Sequence, residues 1–197
     1  MLLIIDAYID KMNYKLEPYP EKLVDLLDKA NELANSILQK LNSAECKRVS
    51  DLYEVVNDKV IRNKKRFDSL GYVANEPKNK PKEFKGLYIF GDEVNGKVIP
   101  VYVGISRSIF RRLKQHAWGK LHNECTLAYL KTKHQWEIVG KEAKRDSITH
   151  EDMLPAKEII QNYKVVLVEV QNDYDLYFLE VSLAGIFNTK WNSFKTH

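Results

Sequence analysis

Hydrophobic positions in the first part of the chain follow helical spacing. Between residues 20 and 42, apolar side chains recur every three or four positions, with acidic residues early and Lys40 late, which predicts an amphipathic helix. A second, shorter helix is predicted over residues 49–66. Residues 71–85 are polar and twice interrupted by proline, as is typical of a linker or a wrapped loop. We therefore expect an N-terminal helical extension and linker over residues 1–80.

The spacing of apolar residues changes after this linker, where strands are predicted. Two apolar runs in residues 86–103 flank Asn95-Gly96, a pair that accepts positive φ in tight turns, and together they predict a β-hairpin. A helix follows and extends to about Trp118, and either Ser106 or Ser108 can cap its start.

The remainder of the chain completes the predicted sheet. Residues 121–162 are less regular, with at least one helix around residues 125–132. The nearly continuous apolar run at 165–170 predicts a strand in the centre of its sheet, and residues 174–187 predict a final helix. This order implies an α+β fold over residues 81–197, a small mixed, mainly antiparallel three-stranded sheet flanked by helices, with 121–162 as an enlarged insertion.

Composition narrows the class of protein. The 197 residues are 44% hydrophobic and 29% charged, which is enough for one core and a charged surface. The apolar start is cut off at Asp6 and has neither a basic region nor a cleavage site, so we expect no secretion signal and no membrane partner. Cys46 and Cys125 are far apart and lack metal-ligand spacing, so the expected location is a reducing cytoplasm.

Positive charge is concentrated after the hairpin. The formal net charge is only +4, but residues 105–123 contain no acidic side chain. The basic residues within them are Arg107, Arg111, Arg112, Lys114 and Lys120. Such a surface predicts a polyanionic partner, nucleic acid first, while a solvated helix face remains the alternative for any single cluster.

Four elements carry side chains suited to acid–base or phosphate chemistry. Arg112 and His116, spaced i and i+4, fall at the border of an apolar helix face, and a lone pair of this kind often only snorkels at the core margin. Glu180 borders the apolar face of the last helix and needs an arginine, a hydrogen-bond network or a cation as partner. With Tyr88 and Tyr102 on adjacent strands, the set suits metal-assisted phosphodiester hydrolysis if it converges.

The same residues carry a resemblance to a known family. Gly86-Leu87-Tyr88 and Tyr102-Val103-Gly104 resemble the paired Gly-Ile-Tyr and Tyr-Ile-Gly motifs that name the GIY-YIG nuclease family. Arg112 follows Tyr102 by ten residues and His116 follows by four more, as in the helix of that family. Phe178-Leu179-Glu180 resembles the family's metal-binding segment, and Asn192 matches its C-terminal asparagine better than Asn188 does. The resemblance covers residues 85–197.

The resemblance implies a metal-dependent endonuclease that hydrolyses DNA phosphodiester bonds, or alternatively a weakly active or inactive nucleic-acid-binding module. It implies that Glu180 holds Mg²⁺ or Mn²⁺ and that Tyr88 or His116 activates water. Arg112 would stabilise the phosphate charge, Tyr102 would position the phosphate or water, and Asn192 would brace the site. The expected DNA contacts are Arg107, Arg111, Lys114 and Lys120. The apolar stripe of residues 20–42 could also dock a second copy of the chain, which would make a homodimer.

Overall fold

The protein is described by a computed structural model that covers residues 22–69, 83, 85–144 and 147–194, with the side chains of residues 68 and 69 left out. Most of the predicted linker, 71–85, therefore lies outside the described residues. In chain order the elements are α1 (Leu23–Asn42), a 3₁₀ turn (Val49–Leu52), β1 (Tyr53–Val56), β2 (Lys59–Arg62), α2 (Lys64–Ser69), β3 (Gly86–Val94), β4 (Lys97–Ser106), α3 (Ile109–Trp118), α4 (Thr126–Ile138), α5 (Leu154–Asn162), β5 (Lys164–Glu169) and α6 (Asp173–Ile186).

Helix α1 confirms the first predicted helix. Its apolar stripe is buried against α6 and the strands β4 and β5, so the helix covers one face of the sheet. The buried side chains are Leu26, Ala30, Ala34, Ile37 and Leu41. The segment has more apolar residues than the buried face of the helix can hold, so Leu23, Val24 and Leu27 stay exposed.

The prediction of one helix over residues 49–66 is wrong. The 3₁₀ turn leads into the antiparallel hairpin β1–β2, and the helix α2 occupies only Lys64–Ser69. Asn57 and Asp58 adopt φ of 49° and 59°, the left-handed conformation of a tight two-residue turn, which a helix cannot contain. Tyr53 anchors this hairpin, since its hydroxyl donates a hydrogen bond to the carbonyl of Phe110.

The main sheet is three-stranded and antiparallel, in the order β4-β3-β5. The predicted tight turn is confirmed, because Asn95 and Gly96 have φ of 51° and 76°. The prediction that residues 165–170 form a central strand is wrong, because β3 is central and β5 lies at the edge. The apolar run in β5 reflects helices on both faces: Val165 and Leu167 pack on one side, Val166 on the other.

The helices around this sheet confirm the α+β class. Helices α1 and α6 cover one face, while α3 and α5 pack over the other, where Tyr88 and Phe90 point. The helix predicted around residues 125–132 is confirmed by α4, and a second helix, α5, also lies within residues 121–162. Within the described residues no helix is long and apolar enough to cross a membrane.

The start of α3 is capped by a distant residue. The carboxylate of Glu83 accepts hydrogen bonds from the backbone N–H groups of Phe110 (2.9 Å) and Arg111 (3.1 Å). Ser108 stands at the N-cap position but makes no side-chain cap, and Oγ of Ser106 accepts from the N–H of Ser108 at 3.0 Å, ahead of the helix. The serine cap predicted from sequence is therefore wrong. A carboxylate at this end also suits the positive pole of the helix.

Candidate functional site

Tyr88 lies in the middle of the central strand and is only 1% exposed. Its hydroxyl oxygen is 2.7 Å from Nε2 of His116, which is completely buried on α3. The helix is held over the strand by its apolar ridge, with Ile109 and Leu113 buried in the same cluster as Tyr88. The structure therefore joins the first motif and the helix through one buried hydrogen bond.

Gly104 makes the room that the Tyr88 ring occupies. The two residues face each other across β3 and β4, and a Cβ atom at 104 would stand 2.3 Å from both Cζ and the hydroxyl oxygen of Tyr88. At Gly86 a Cβ would stand 2.0 Å from the carbonyl oxygen of Val168. Both glycines of the motifs thus permit a close approach of backbone or ring, which no other residue could allow.

Tyr102 extends the site from Tyr88 toward solvent. Its ring centroid lies 6.1 Å from that of Tyr88 and 5.6 Å from that of His116, and its side chain is only partly buried. Burial raises the pKa of Tyr102, while the charge of Arg112 and the hydrogen bond with Tyr88 oppose that rise. The two phenols therefore interact directly, on the face of the sheet beneath α3.

Arg112 is fixed beside the phenols by main-chain carbonyl oxygens. Its Nη1 donates to the carbonyl of Glu124 at 2.9 Å and, more weakly, to that of Asn123 at 3.5 Å. A guanidinium has five N–H donors, so this leaves donors for a ligand. The sequence did not predict this support, because every residue has a main-chain carbonyl group and the residue type does not reveal which one will contact Arg112.

The Tyr88–His116 pair is buried in its neutral form. Burial raises the pKa of Tyr88 well above 10, while the charge and hydrogen bonding of Arg112 oppose that rise. Burial and the charge of Arg112 hold the pKa of His116 well below 6.5. The other ring nitrogen of His116, Nδ1, has no hydrogen-bond partner within the described residues. When its own proton is on Nδ1, the neutral imidazole accepts the hydrogen bond of the phenol at Nε2.

Glu180 stands at the border of α6, partly buried, and burial raises its pKa to about 7. Neither an ion pair nor a hydrogen bond to its carboxylate occurs within the described residues. Its charge contributes to the raised pKa of Tyr102, which places the carboxylate in the electrostatic range of that phenol. Two of the three partners considered from sequence, an arginine and a hydrogen-bond network, are thus not provided by the described part of the chain.

A single carboxylate is compatible with a magnesium site. Among the described residues no three His, Cys, Asp or Glu side chains cluster as a metal cage. Mg²⁺ is commonly held by one or two carboxylates together with water and substrate phosphate oxygens, so a cage is not required. A desolvated carboxylate that forms no ion pair with the described residues is suited to such an ion.

Asn192 braces the exposed edge of β4. Its Oδ1 accepts from the N–H of Val103 at 2.9 Å, and its Nδ2 donates to the carbonyl of Val103 at 2.7 Å. The hydroxyl of Thr189 donates to the same Oδ1, and the N–H of Trp191 donates to the carbonyl of Val101. Asn192 therefore fixes the backbone between Tyr102 and Gly104.

The competing asparagine has another task in the fold. Asn188 adopts φ of 48° and its N–H donates to the carbonyl of Gly185, the geometry with which a left-handed residue ends a helix. Thr189, three residues before Asn192, is a contact that sequence reasoning missed, although a threonine at this spacing is a recognisable local hydrogen-bonding pattern.

The four predicted DNA contacts differ in their surroundings. Arg107 forms an ion pair with Asp173 at 2.7 Å, and Lys114 donates to the carbonyl of Val60 at 2.6 Å. Arg111 and Lys120 are exposed. Arg107 and Lys114 thus have partners within the chain, whereas the side chains of Arg111 and Lys120 are exposed to solvent.

Comparison of the chain with protein-family models, with curated proteins and with solved structures finds no match in any of the three.

Proposed function

We propose that the protein is a metal-dependent endonuclease that hydrolyses DNA phosphodiester bonds. The observation that carries this proposal is the 2.7 Å contact between the Tyr88 hydroxyl and Nε2 of His116, beside the guanidinium of Arg112. A buried phenol–imidazole pair next to a fixed cation is suited to moving a proton near an anionic substrate. The order and spacing of the family motifs support the same assignment.

The pair can activate water without forming a free phenolate. In the proposed step the Tyr88 oxygen takes a proton from water while its own proton passes to Nε2 of His116. The depressed pKa of His116 opposes this transfer in the free protein, and the charge of Arg112 is one cause. A phosphodiester bound to Arg112 would offset that charge and make the imidazole more basic.

Arg112 would bind the scissile phosphate. The carbonyl of Glu124 holds one of its nitrogens, so the guanidinium is oriented before the substrate arrives. Charge-assisted hydrogen bonds to phosphate contribute about 1.5–3 kcal/mol each. Tyr102, which is partly exposed and next to Tyr88, would position the phosphate or the water, and Asn192 keeps its strand in place.

Glu180 would hold the cation, Mg²⁺ or Mn²⁺. When bound, such an ion neutralises phosphate charge and stabilises the leaving 3′-oxygen. The carboxylate must be ionised to bind it, and its pKa of about 7 means that binding would strengthen as the pH rises through neutrality. Arg111 and Lys120 would contact the flanking DNA. A reducing cytoplasm is the proposed location.

A plasmid-nicking assay tests this proposal directly. Tyr88→Phe keeps the ring but removes the hydroxyl, and we expect nicking in Mg²⁺ to fall roughly 100-fold or more, as for loss of a general base. The matched control is Tyr177→Phe, a residue that is 61% exposed and lies on α6, which packs on the other face of the sheet from Tyr88. Wild-type cutting by Tyr88→Phe would remove the phenol from the mechanism, and nicking that persists in EDTA would remove the metal.

A nucleic-acid-binding module without catalysis is the second candidate. It is favoured by the complete burial of His116 and the near-complete burial of Tyr88, because the catalytic step requires water to reach the Tyr88 oxygen. DNA binding with no nicking in Mg²⁺ or Mn²⁺, across plasmid, branched, flapped and single-stranded substrates, would support this candidate over the endonuclease.

A homodimer through the N-terminal helix is also proposed. Leu23, Val24 and Leu27 are each about half exposed or more on α1, on the side turned away from the sheet. Static light scattering of the wild type and of Leu27→Glu measures this, because a charge on the contact face would shift a dimer to monomer. A monomeric wild type at all concentrations would contradict the dimer.

A further inference from the structure

A groove lies between α4, α5 and the segment that follows α6, outside the proposed catalytic residues. It encloses about 530 Å³, within the range of small-ligand sites. Two indoles and several basic side chains line it, and we call it the aromatic-basic groove. Its members used below are Lys131, His134, Trp136, Lys190 and Trp191.

Ammonium groups lie over the rings of both tryptophans. Nζ of Lys131 is 4.6 Å and Nζ of Lys190 is 5.0 Å from the ring centroid of Trp191. Nζ of Lys141 is 3.2 Å from the ring centroid of Trp136. At exposed sites such contacts are weak, so phosphate groups can draw the lysines away and leave the ring faces to another planar group.

The lysines of the groove are suited to an anion. Lys131 is half-buried and donates to the hydroxyl of Tyr163 at 2.8 Å. Burial and the neighbouring charge of Lys190 lower the pKa of Lys131, while Asp92 opposes that shift. No ion pair between a carboxylate and either lysine is formed within the described residues, so the two cations repel one another until an anion arrives.

One carboxylate also lines the groove. Asp152 accepts hydrogen bonds from the N–H and the hydroxyl of Thr149, at 2.9 Å and 2.7 Å. It is therefore already satisfied by its own turn and does not neutralise Lys131 or Lys190. Exposed apolar side chains, Ile138 and Ile159, complete the wall.

The groove borders the edge strand that carries Tyr102. Trp191 directly precedes Asn192, and its N–H donates to the carbonyl of Val101, the neighbour of Tyr102. A strand of nucleic acid lying in the groove would thus run along the edge of β4 toward the phenols.

We infer that the aromatic-basic groove binds unpaired nucleotides, with bases packed on the indoles of Trp136 or Trp191 and phosphates on the lysines. Sequence-independent binding of single strands uses this combination of aromatic platforms and a cationic track. A base-paired duplex buries its base faces in its own stack and cannot use the indoles. The inference rests on the proposed function in one respect, since it makes the substrate a nucleic acid with a single-stranded segment beside the scissile bond.

Equilibrium binding in EDTA tests the inference apart from catalysis. Fluorescence anisotropy would follow three labelled probes of equal length: a single strand, the same strand with abasic sites throughout, and a duplex. The variants are Trp136→Leu and Trp191→Leu, with Trp136→Phe and Trp191→Phe as matched controls that keep a ring. Lys190→Ala is compared with Lys40→Ala, an equal change of charge on α1. Thermal melting checks that each variant folds.

We expect the wild type to prefer the single strand to the abasic strand by roughly tenfold, the effect of losing base–aromatic stacking. At least one Leu variant should lose that preference while the corresponding Phe variant keeps most of it. Lys190→Ala should weaken binding to both strands more than Lys40→Ala does. Equal binding of normal and abasic strands by the wild type, or a preference unchanged in both Leu variants, would overturn the inference.

Nicking assays on the same variants separate the two proposals. Stacking-dependent binding without nicking by the wild type would contradict the endonuclease and leave the groove as a binding site. Nicking of duplex plasmid without any single-strand preference in EDTA would support the endonuclease and contradict the groove.

Discussion

Replacement of Glu180 by glutamine tests the electrostatics of the candidate site before any substrate is known. Glutamine keeps the shape of the side chain and removes its titration. In the fold the carboxyl pKa is about 7, against 4.5 for the free group, so the folded chain holds this proton more tightly than the unfolded chain. The stability that the group contributes is therefore complete below pH 4.5 and is lost as the pH rises through 7.

The size of this effect follows from the difference in pKa. At about 1.36 kcal/mol for each pH unit between the folded and unfolded pKa, the upper bound is roughly 3.4 kcal/mol. Glu180 is only partly buried, so solvent screening reduces the expected cost to about 1–2 kcal/mol. Because Glu180→Gln does not carry this cost, the variant should be more stable than the wild type at pH 8 by that amount.

Thermal unfolding from pH 5 to pH 9, without divalent metal, measures the difference. For a chain of this length 1 kcal/mol corresponds to about 2–4 °C, so Glu180→Gln should melt roughly 2–8 °C above the wild type at pH 8. The gap should be small near pH 5, widen toward pH 7 and then stay constant. Millimolar Mg²⁺ at pH 8 should raise the midpoint of the wild type and leave that of the variant unchanged.

A difference between the two proteins that is the same at every pH would refute the argument from burial, because only a titrating group gives a pH-dependent gap. An equal response of both proteins to Mg²⁺ would refute the metal site at Glu180 separately. The control is Glu169→Gln on β5, an equal change of charge at an exposed side chain.

Two further substitutions, each with a matched control, address the supports of the site. Gly104→Ala places a Cβ 2.3 Å from the Tyr88 phenol, so we expect the free energy of unfolding in urea to fall by about 1–3 kcal/mol. The control Gly185→Ala, in α6 with open space around it, should raise that free energy by about 0.5–1 kcal/mol. Equal effects of the two substitutions would contradict the close contact. Asn192→Ala removes two hydrogen bonds to the β4 backbone, so it should lower the free energy of unfolding by about 1–3 kcal/mol and reduce nicking. The control Asn188→Gly should leave the free energy of unfolding within about 0.5 kcal/mol of the wild type. Equal losses of stability in both variants would contradict separate roles for the two asparagines.

Local patterns in the sequence were sufficient for much of the main fold. The apolar stripe of α1, the Asn95-Gly96 turn and the ridge of α3 each depend on residues close together in the chain, so their spacing alone predicts them. The prediction of one helix over residues 49–66 was wrong because the structure of that segment depends on residues far away in the chain. Its turn depends on left-handed φ at Asn57 and Asp58, and its strands are anchored to α3 through Tyr53, a contact with no local signal.

The sequence by itself determined the residue types of the candidate site and the elements that carry them. Only the tertiary structure decided that the Tyr88 hydroxyl meets His116, that Gly104 leaves room for that ring, and that Glu180 has no internal partner among the described residues. The physical reason is that periodicity fixes the face on which a side chain lies. The distance between two faces depends on how helices and strands pack, and that is set by residues far apart in the chain.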